Sequence, residues 1–184
     1  QKDFQLMFVC SENQVNRDRG YTGFTTKEFS HFVNSLEGSW NQSNVWKCRD
    51  HCGPGFFYKT VDDCVKTVED DIANGFDLIH IDTCYLTSLS EKLGVTKEMM
   101  ESALKKNDNI KFEIGTEVNS VKNKLEPKEL KSYLEEVSKV RTPFFYVLET
   151  NAVVEGYNNS GLFAPCEESL QILSDSGVKC KEHN

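Results

Sequence analysis

The chain opens on an apolar run that turns polar at its end, FQLMFVCSEN (4–13), and runs of this kind recur five more times. They are VWKCRDH (45–51), FDLIHIDTC (76–84), IKFEIGTEV (110–118), PFFYVLETNA (143–152) and GVKCKEH (177–183). Between them the apolar residues switch to helical spacing. TTKEFSHFVNSLEG puts Phe29, Phe32, Val33 and Leu36 on one stripe, with Thr25 and Glu28 as a capping box and Gly38 past the end. YKTVDDCVKTVEDDIANG starts at a capping Thr60, aligns Val61, Cys64, Val65, Val68 and Ile72, and stops at Gly75. TKEMMESALKK, EPKELKSYLEEVSKV and APCEESLQILSDSG complete five helices, the last two opening on Pro127 and Pro165. Strand and helix therefore alternate throughout, which predicts right-handed crossovers and a parallel sheet. No internal repeat or linker interrupts the pattern, so one domain over 1–184 is expected, with the Asn/Ser/Gly stretch at 156–161 as a long loop.

Side chains alternate across a strand. Ile79 and Ile81 oppose His80 and Asp82; Phe112, Ile114 and Thr116 oppose Lys111, Glu113 and Glu117; Val178 and Cys180 oppose Lys179, Lys181 and His183. In VWKCRDH the same rule sets Trp46 and Cys48 against Lys47, Arg49 and His51, with Asp50 at the strand end. A doubly wound sheet is covered on both sides and calls for two apolar faces. A closed barrel needs only its outer face apolar, and its interior turns polar near the C-terminal mouth. The expected fold class is therefore α/β, a TIM-type (β/α)8 barrel. A flavodoxin-like open sheet that binds a small anion is the alternative.

The barrel reading gives the strand ends a chemical meaning. Asp50 and His51 fall at a lip, and Gly53-Pro54-Gly55 turns the chain away from it. Neutral imidazole is a good ligand for a divalent metal, and an adjacent carboxylate handles a proton. His51, Glu113 and His183 are the candidate ligands of a divalent ion, zinc by preference, and Asp50, Asp82 and Glu117 the candidate catalytic carboxylates. An Asp–His hydrogen bond that only braces the mouth is the plainer reading of the same pair. Arg49 and Lys181 are candidate substrate-binding cations. An inward Lys181 or Lys47 would form a Schiff base if burial lowered its pKa, and otherwise would pair with a glutamate. In the first loop, SENQVNRDRGYTGFTT, the amides of Asn13, Gln14 and Asn16 suit sugar hydroxyls, Arg17 and Arg19 suit an anion, and Gly20 and Gly23 permit close backbone approach. The same residues are also ordinary loop formers. No Walker loop or G-x-G-x-x-G follows a strand, which argues against nucleotides.

Composition narrows this further. A net charge of −8 and a pI near 5.1 disfavour nucleic acid and anionic membrane surfaces as partners. No apolar run approaches the roughly 20 residues that span a bilayer, and no secretion signal is evident. Seven cysteines are an odd number. Cys10, Cys48, Cys84 and Cys180 fall within strand patterns and are expected as buried free thiols of a cytoplasmic protein. Cys48 and Cys52 have no second C-x-x-C-like pair, so a structural zinc ribbon is not expected.

The motifs NQVN-x3-GYTG (13–23), DH-x-GP (50–54), IHID (79–82), IGTEV (114–118) and the EHN at 182–184 together resemble the non-catalytic (Z) subunit family of class II tagatose-1,6-bisphosphate aldolase and related epimerase-like barrels. The resemblance implies a TIM barrel with Asp50 as general acid/base, His51 as metal ligand and His183 as a later ligand. It implies aldol cleavage or epimerisation of a ketose or ketose phosphate. It equally implies an accessory role, in which the chain stabilises and activates a catalytic aldolase subunit or forms a homo-oligomer. Family chains are longer, so the expected barrel is incomplete here, with about six strands, five helices, and no first or last strand.

Overall fold

The computed structural model describes residues 6–36, 45–116, 125–148 and 166–181, with backbone alone at 153–155 and 158–160. Its elements are β1 (Leu6–Ser11), α1 (Thr26–Ser35), β2 (Val45–Cys52), α2 (Val61–Ala73), β3 (Leu78–Asp82), α3 (Leu89–Lys106) and β4 (Lys111–Gly115). They continue with α4 (Pro127–Ser138), β5 (Phe145–Val147), β6 (Val153–Glu155), β7 (Asn158–Ser160), α5 (Glu167–Asp175) and β8 (Lys179–Lys181). Six strands form one sheet in the order β1-β2-β3-β4-β5-β8, and each pairing with a defined register is parallel. The alternation of strand and helix predicts this order directly, because each crossover helix returns the chain to the neighbouring position.

The chain divides into two compact units, residues 1–81 with 99–112, and residues 82–98 with 113–184. In the first unit, α1 starts where expected: Thr25 and Glu28 form a reciprocal capping box. Val33 is buried, whereas Phe32, expected on the same stripe, is 46% exposed. α2 starts at Thr60, whose side chain accepts from the Asp63 N–H. Its buried face is Cys64, Thr67, Val68 and Asp71, so an aspartate occupies an inward position that an apolar stripe does not announce. In the second unit, α4 begins at Pro127 and buries Leu130, Tyr133, Leu134 and Val137. Tyr133 shares a 2.7 Å hydrogen bond with Thr96, and the Thr116 and Tyr146 hydroxyls share another.

Three elements differ from expectation. α3 begins at Leu89, well before the expected Thr96, because the Ser88 hydroxyl accepts from the Glu91 N–H and starts the helix ahead of Gly94. Of the run at 143–152, Phe145–Val147 forms β5 and 149–152 lie outside the described residues, while the expected loop contains part of an antiparallel pair, Val153↔Ser160 to Glu155↔Asn158. Its first strand carries consecutive β-branched valines. Cys10, Cys48 and Cys84 are buried as expected, but Cys180 is exposed, lying on β8, which among the described residues pairs with β5 alone. All seven cysteines are free thiols. Among the described residues, no helix is long and apolar enough to cross a membrane.

Candidate functional site

The site begins with a fault in the ladder between β2 and β3. Arg49 lies opposite Ile79 and Cys52 opposite Ile81, so Asp50 and His51 together face a single residue, His80. That extra residue is a β-bulge, and His51 sits in it with φ 48°, a left-handed conformation that costs a non-glycine residue about 1–3 kcal/mol. The bulge overrides strict alternation at His51. Lys47 and Arg49 point to the helices: Lys47 Nζ donates to Ser30 Oγ (2.8 Å) and Asn34 Oδ1 (3.0 Å) of α1, and Arg49 meets α2. Trp46 faces the other way, under the Lys111 ammonium at 4.5 Å. Asp50 follows on the Trp46 side by alternation, and the bulge brings His51 to it.

Asp50, His51 and His80 thus converge, with one ligand atom from each lying within 4.8 Å of the others. His80 Nδ1 is 3.0 Å from Asp50 Oδ1, and His51 Nε2 is 3.6 Å from Asp50 Oδ2. The His51 backbone N–H reaches His80 Nδ1 at 3.3 Å. His80 is buried, while Asp50 and His51 are partly exposed. The His51 ring stacks on Phe56 with centroids 5.1 Å apart, so the loop after β2 holds the imidazole in place. Two imidazoles and a carboxylate are the donor types that hold zinc and similar divalent ions, and the group fits such an ion.

The other expected site residues fall elsewhere. Arg49, expected to touch substrate, is fully buried: it makes two bonds to Asp71 (2.6 and 2.7 Å) and donates to the Val15 carbonyl at 2.6 Å. Its inward helix-facing position follows from the Lys47–Arg49 alternation, and it is a packing cation. Burial works against the Asp71 carboxylate, and Arg49 offsets that. In the second unit, Glu113 is buried and accepts from Lys181 Nζ at 2.6 Å, the pairing that competes with a Schiff base. Asp82 Oδ1 accepts from the Cys84 N–H at 3.0 Å, tying it to the turn after β3. Glu117 and His183 lie outside the described residues.

The first loop spends most of its amides on itself. Gln14 Oε1 accepts from the Ser11 N–H; Asn16, fully buried, donates to the Glu12 carbonyl and accepts from the Asp18 N–H. Both amide atoms of Asn16 and the Oε1 of Gln14 are thus engaged within the turn. Asn13 is exposed. Arg17 bonds Asp63 and Thr67 of α2 and stacks over Tyr58 at 4.0 Å, and Arg19 pairs with Glu28. At Gly20 a Cβ would lie 2.1 Å from the Gln14 carbonyl oxygen. Gly20→Ala is therefore expected to cost about 1–3 kcal/mol, read as a lower urea midpoint.

His80 is the member of the group that the candidate ligand set omits. Its signal was present in the alternation of IHID, where it shares a face with Asp82.

Residues 1–118 match the family described as D-tagatose-1,6-bisphosphate aldolase subunit GatZ/KbaZ-like. Among solved structures, the chain is similar to a probable tagatose 6 phosphate kinase from Sinorhizobium meliloti 1021, at 17% identity and TM-score 0.74 over 98% of this chain and 52% of that one. It is also similar to fructose-bisphosphate aldolase from Campylobacter jejuni, at 12% identity and TM-score 0.68 over 98% of this chain and 57% of that one. The YdjI aldolase from Escherichia coli K12 matches at 12% identity and TM-score 0.54, over 79% of this chain and 48% of that one. The chain spans about half the length of these proteins. The fold class is that of an incomplete barrel of the aldolase type.

Proposed function

This chain belongs to the D-tagatose-1,6-bisphosphate aldolase subunit GatZ/KbaZ-like family, and from that membership we propose that it acts on a ketose or ketose phosphate, by aldol cleavage or epimerisation, with a divalent ion held by Asp50, His51 and His80. Its relation to tagatose-bisphosphate aldolase supports a role in carbohydrate metabolism. The observation that carries the finer reading is the convergence of those three side chains at a bulge in β2. Strain at His51 survives only where surrounding structure enforces it, and here it aims a ligand. A bound divalent ion would polarise the ketose carbonyl and stabilise the enediolate form. The chain's own residues bind and orient: His51, braced by Phe56, and His80, bonded to Asp50, fix two imidazoles at the strand ends. Seven free thiols support a reducing, cytoplasmic setting.

The word "subunit" in the family description supports a second reading, in which the chain stabilises and activates a catalytic aldolase chain. Titration of the full-length protein with Co2+ and Zn2+, followed by assay on fructose, tagatose and their phosphates, tests both. About one ion per chain is expected, with affinity reduced more than about 10-fold in His51→Ala and turnover lost with it. Absence of ion binding overturns the catalytic reading. Turnover that appears only after a catalytic aldolase chain is added establishes the accessory one.

A further inference from the structure

Glu12 is a carboxyl in a pocket with no cation set aside for it. It follows β1 directly, it is 1% exposed, and its Oε2 accepts no hydrogen bond from the described residues. Oε1 accepts from the Cys52 thiol of β2 at 3.4 Å. The groups that face it are Cys52 and Arg49 from β2, Cys64, Thr67 and Asp71 from α2, and Tyr58 from the loop between them. Arg49 is the one cation among these, and its N–H groups go to Asp71, the Val15 carbonyl and Cys10. Burial pushes both thiols and the Tyr58 hydroxyl up, so these three stay neutral near pH 7. A neutral Glu12 fits this pocket. A charged one adds a second anion beside a guanidinium that Asp71 already holds.

Glu12 also sits where the first loop leaves the sheet. The Gln14 and Val15 N–H groups donate to the Ser11 carbonyl across it, at 3.1 and 3.0 Å. The Tyr21 and Thr22 N–H groups donate in turn to the carbonyls of Asn13 and Gln14. Carrying the Glu12 carboxyl to water swings the backbone that these bonds span. Past the turn, Arg17 pins the loop to α2 through the Asp63 carbonyl (2.9 Å) and Thr67 Oγ (3.0 Å). We propose that Glu12 is a protonation latch for the first loop: neutral, it holds the turn at 12–16 against β2 and α2; charged, it lets that turn lift toward water while Arg17 stays docked on α2. The latch acts on the loop and not on Asp50, His51 or His80, so it stands whether or not the chain binds an ion. Its direction follows from the charge. Burial raises the carboxyl pKa from 4.5 to about 7, so the proton is held more tightly with the turn closed. Closure is therefore favoured at pH 6, and that advantage is gone by pH 8.

Amide hydrogen exchange of the full-length protein, resolved by residue and corrected for the intrinsic pH dependence of exchange, reads the latch. Between pH 6 and pH 8 the protection of the Gln14, Val15, Tyr21 and Thr22 amides is expected to fall about 10-fold. A local opening exposes little surface. These four amides are therefore expected to keep their protection in dilute urea, in which β3 amides that exchange through unfolding of the whole chain lose theirs. In Glu12→Gln, which does not ionise, the four amides are expected to be equally protected at both pH values. Equal protection at the two pH values in the wild-type protein overturns the latch without any variant having to fold. So does exchange of the four amides that tracks β3 in urea, since Glu12 would then act on overall stability alone. A fall of wild-type size in Glu12→Gln assigns the change to another group and overturns the latch as well.

Discussion

Asp71→Ala is expected to lower the stability of the fold by about 3–5 kcal/mol. Arg49 and Asp71 are both fully buried, and the guanidinium is held by two short bonds to this one carboxylate. Removing Asp71 leaves a cation with no water to solvate it and with carbonyl oxygens, chiefly that of Val15, as its remaining partners. The damage comes from the stranded charge more than from the lost attraction, because desolvation has already consumed most of the Coulombic gain of the pair. The double variant Arg49→Met, Asp71→Leu is accordingly expected to be much closer to wild type than Asp71→Ala. Urea denaturation of the three proteins gives the comparison. An Asp71→Ala protein within about 1 kcal/mol of wild type would show that the guanidinium reaches solvent or another anion.

The second large effect belongs to Glu12, just after β1. Its side chain is 1% exposed, its Oε1 accepts a hydrogen bond from the Cys52 thiol at 3.4 Å, and Oε2 accepts none from the described residues. Burial raises its pKa from 4.5 to about 7; Cys52, Arg49 and Thr67 pull it back, and Asp71 adds to the rise. Cys64 of α2 faces the same carboxyl and is itself pushed up to about 12 by burial. A carboxyl whose folded pKa is raised binds its proton more tightly in the native state. Its contribution is fully present below about pH 4.5 and is lost as pH rises through about 7. The shift corresponds to about 3 kcal/mol across that window. Glu12→Gln stays neutral and keeps an acceptor for Cys52. Its stability is expected to fall about 3 kcal/mol less than that of wild type between pH 5 and pH 8.5. Parallel stability profiles for the two proteins would show that Glu12 ionises as freely in the fold as outside it.

Much of the fold was legible in the residues. The order of strands and helices, the capping box of Thr25 and Glu28, the Thr60 cap and the Pro127 start all rest on local chemistry, and each appears where the pattern puts it. The third helix starts at Leu89 and not at Thr96, since the Ser88 cap lies upstream of the apolar stripe at 99–104 that marks the helix in the sequence. In β3, alternation correctly separated His80 from Ile79 and Ile81. In β2 the same rule failed, since it has no way to register a bulge: it grouped His51 with Lys47 and Arg49, which face the helices. The polar first loop shows a related ambiguity. An amide that binds a sugar and an amide that closes a turn look identical in sequence, and Gln14 and Asn16 close the turn.

The sequence by itself determined the alternation of elements, where most helices begin, the family, and the residue types available at the strand ends, because each depends on spacing along the chain or on neighbours within a few residues. Only the tertiary structure decided that Arg49 is a buried packing cation paired with Asp71, 22 positions away, and that Asp50, His51 and His80 meet. Those outcomes depend on which face of β2 turns toward the helices and on one extra residue in its register against β3. Register is a property of two strands together, and neither strand carries it alone.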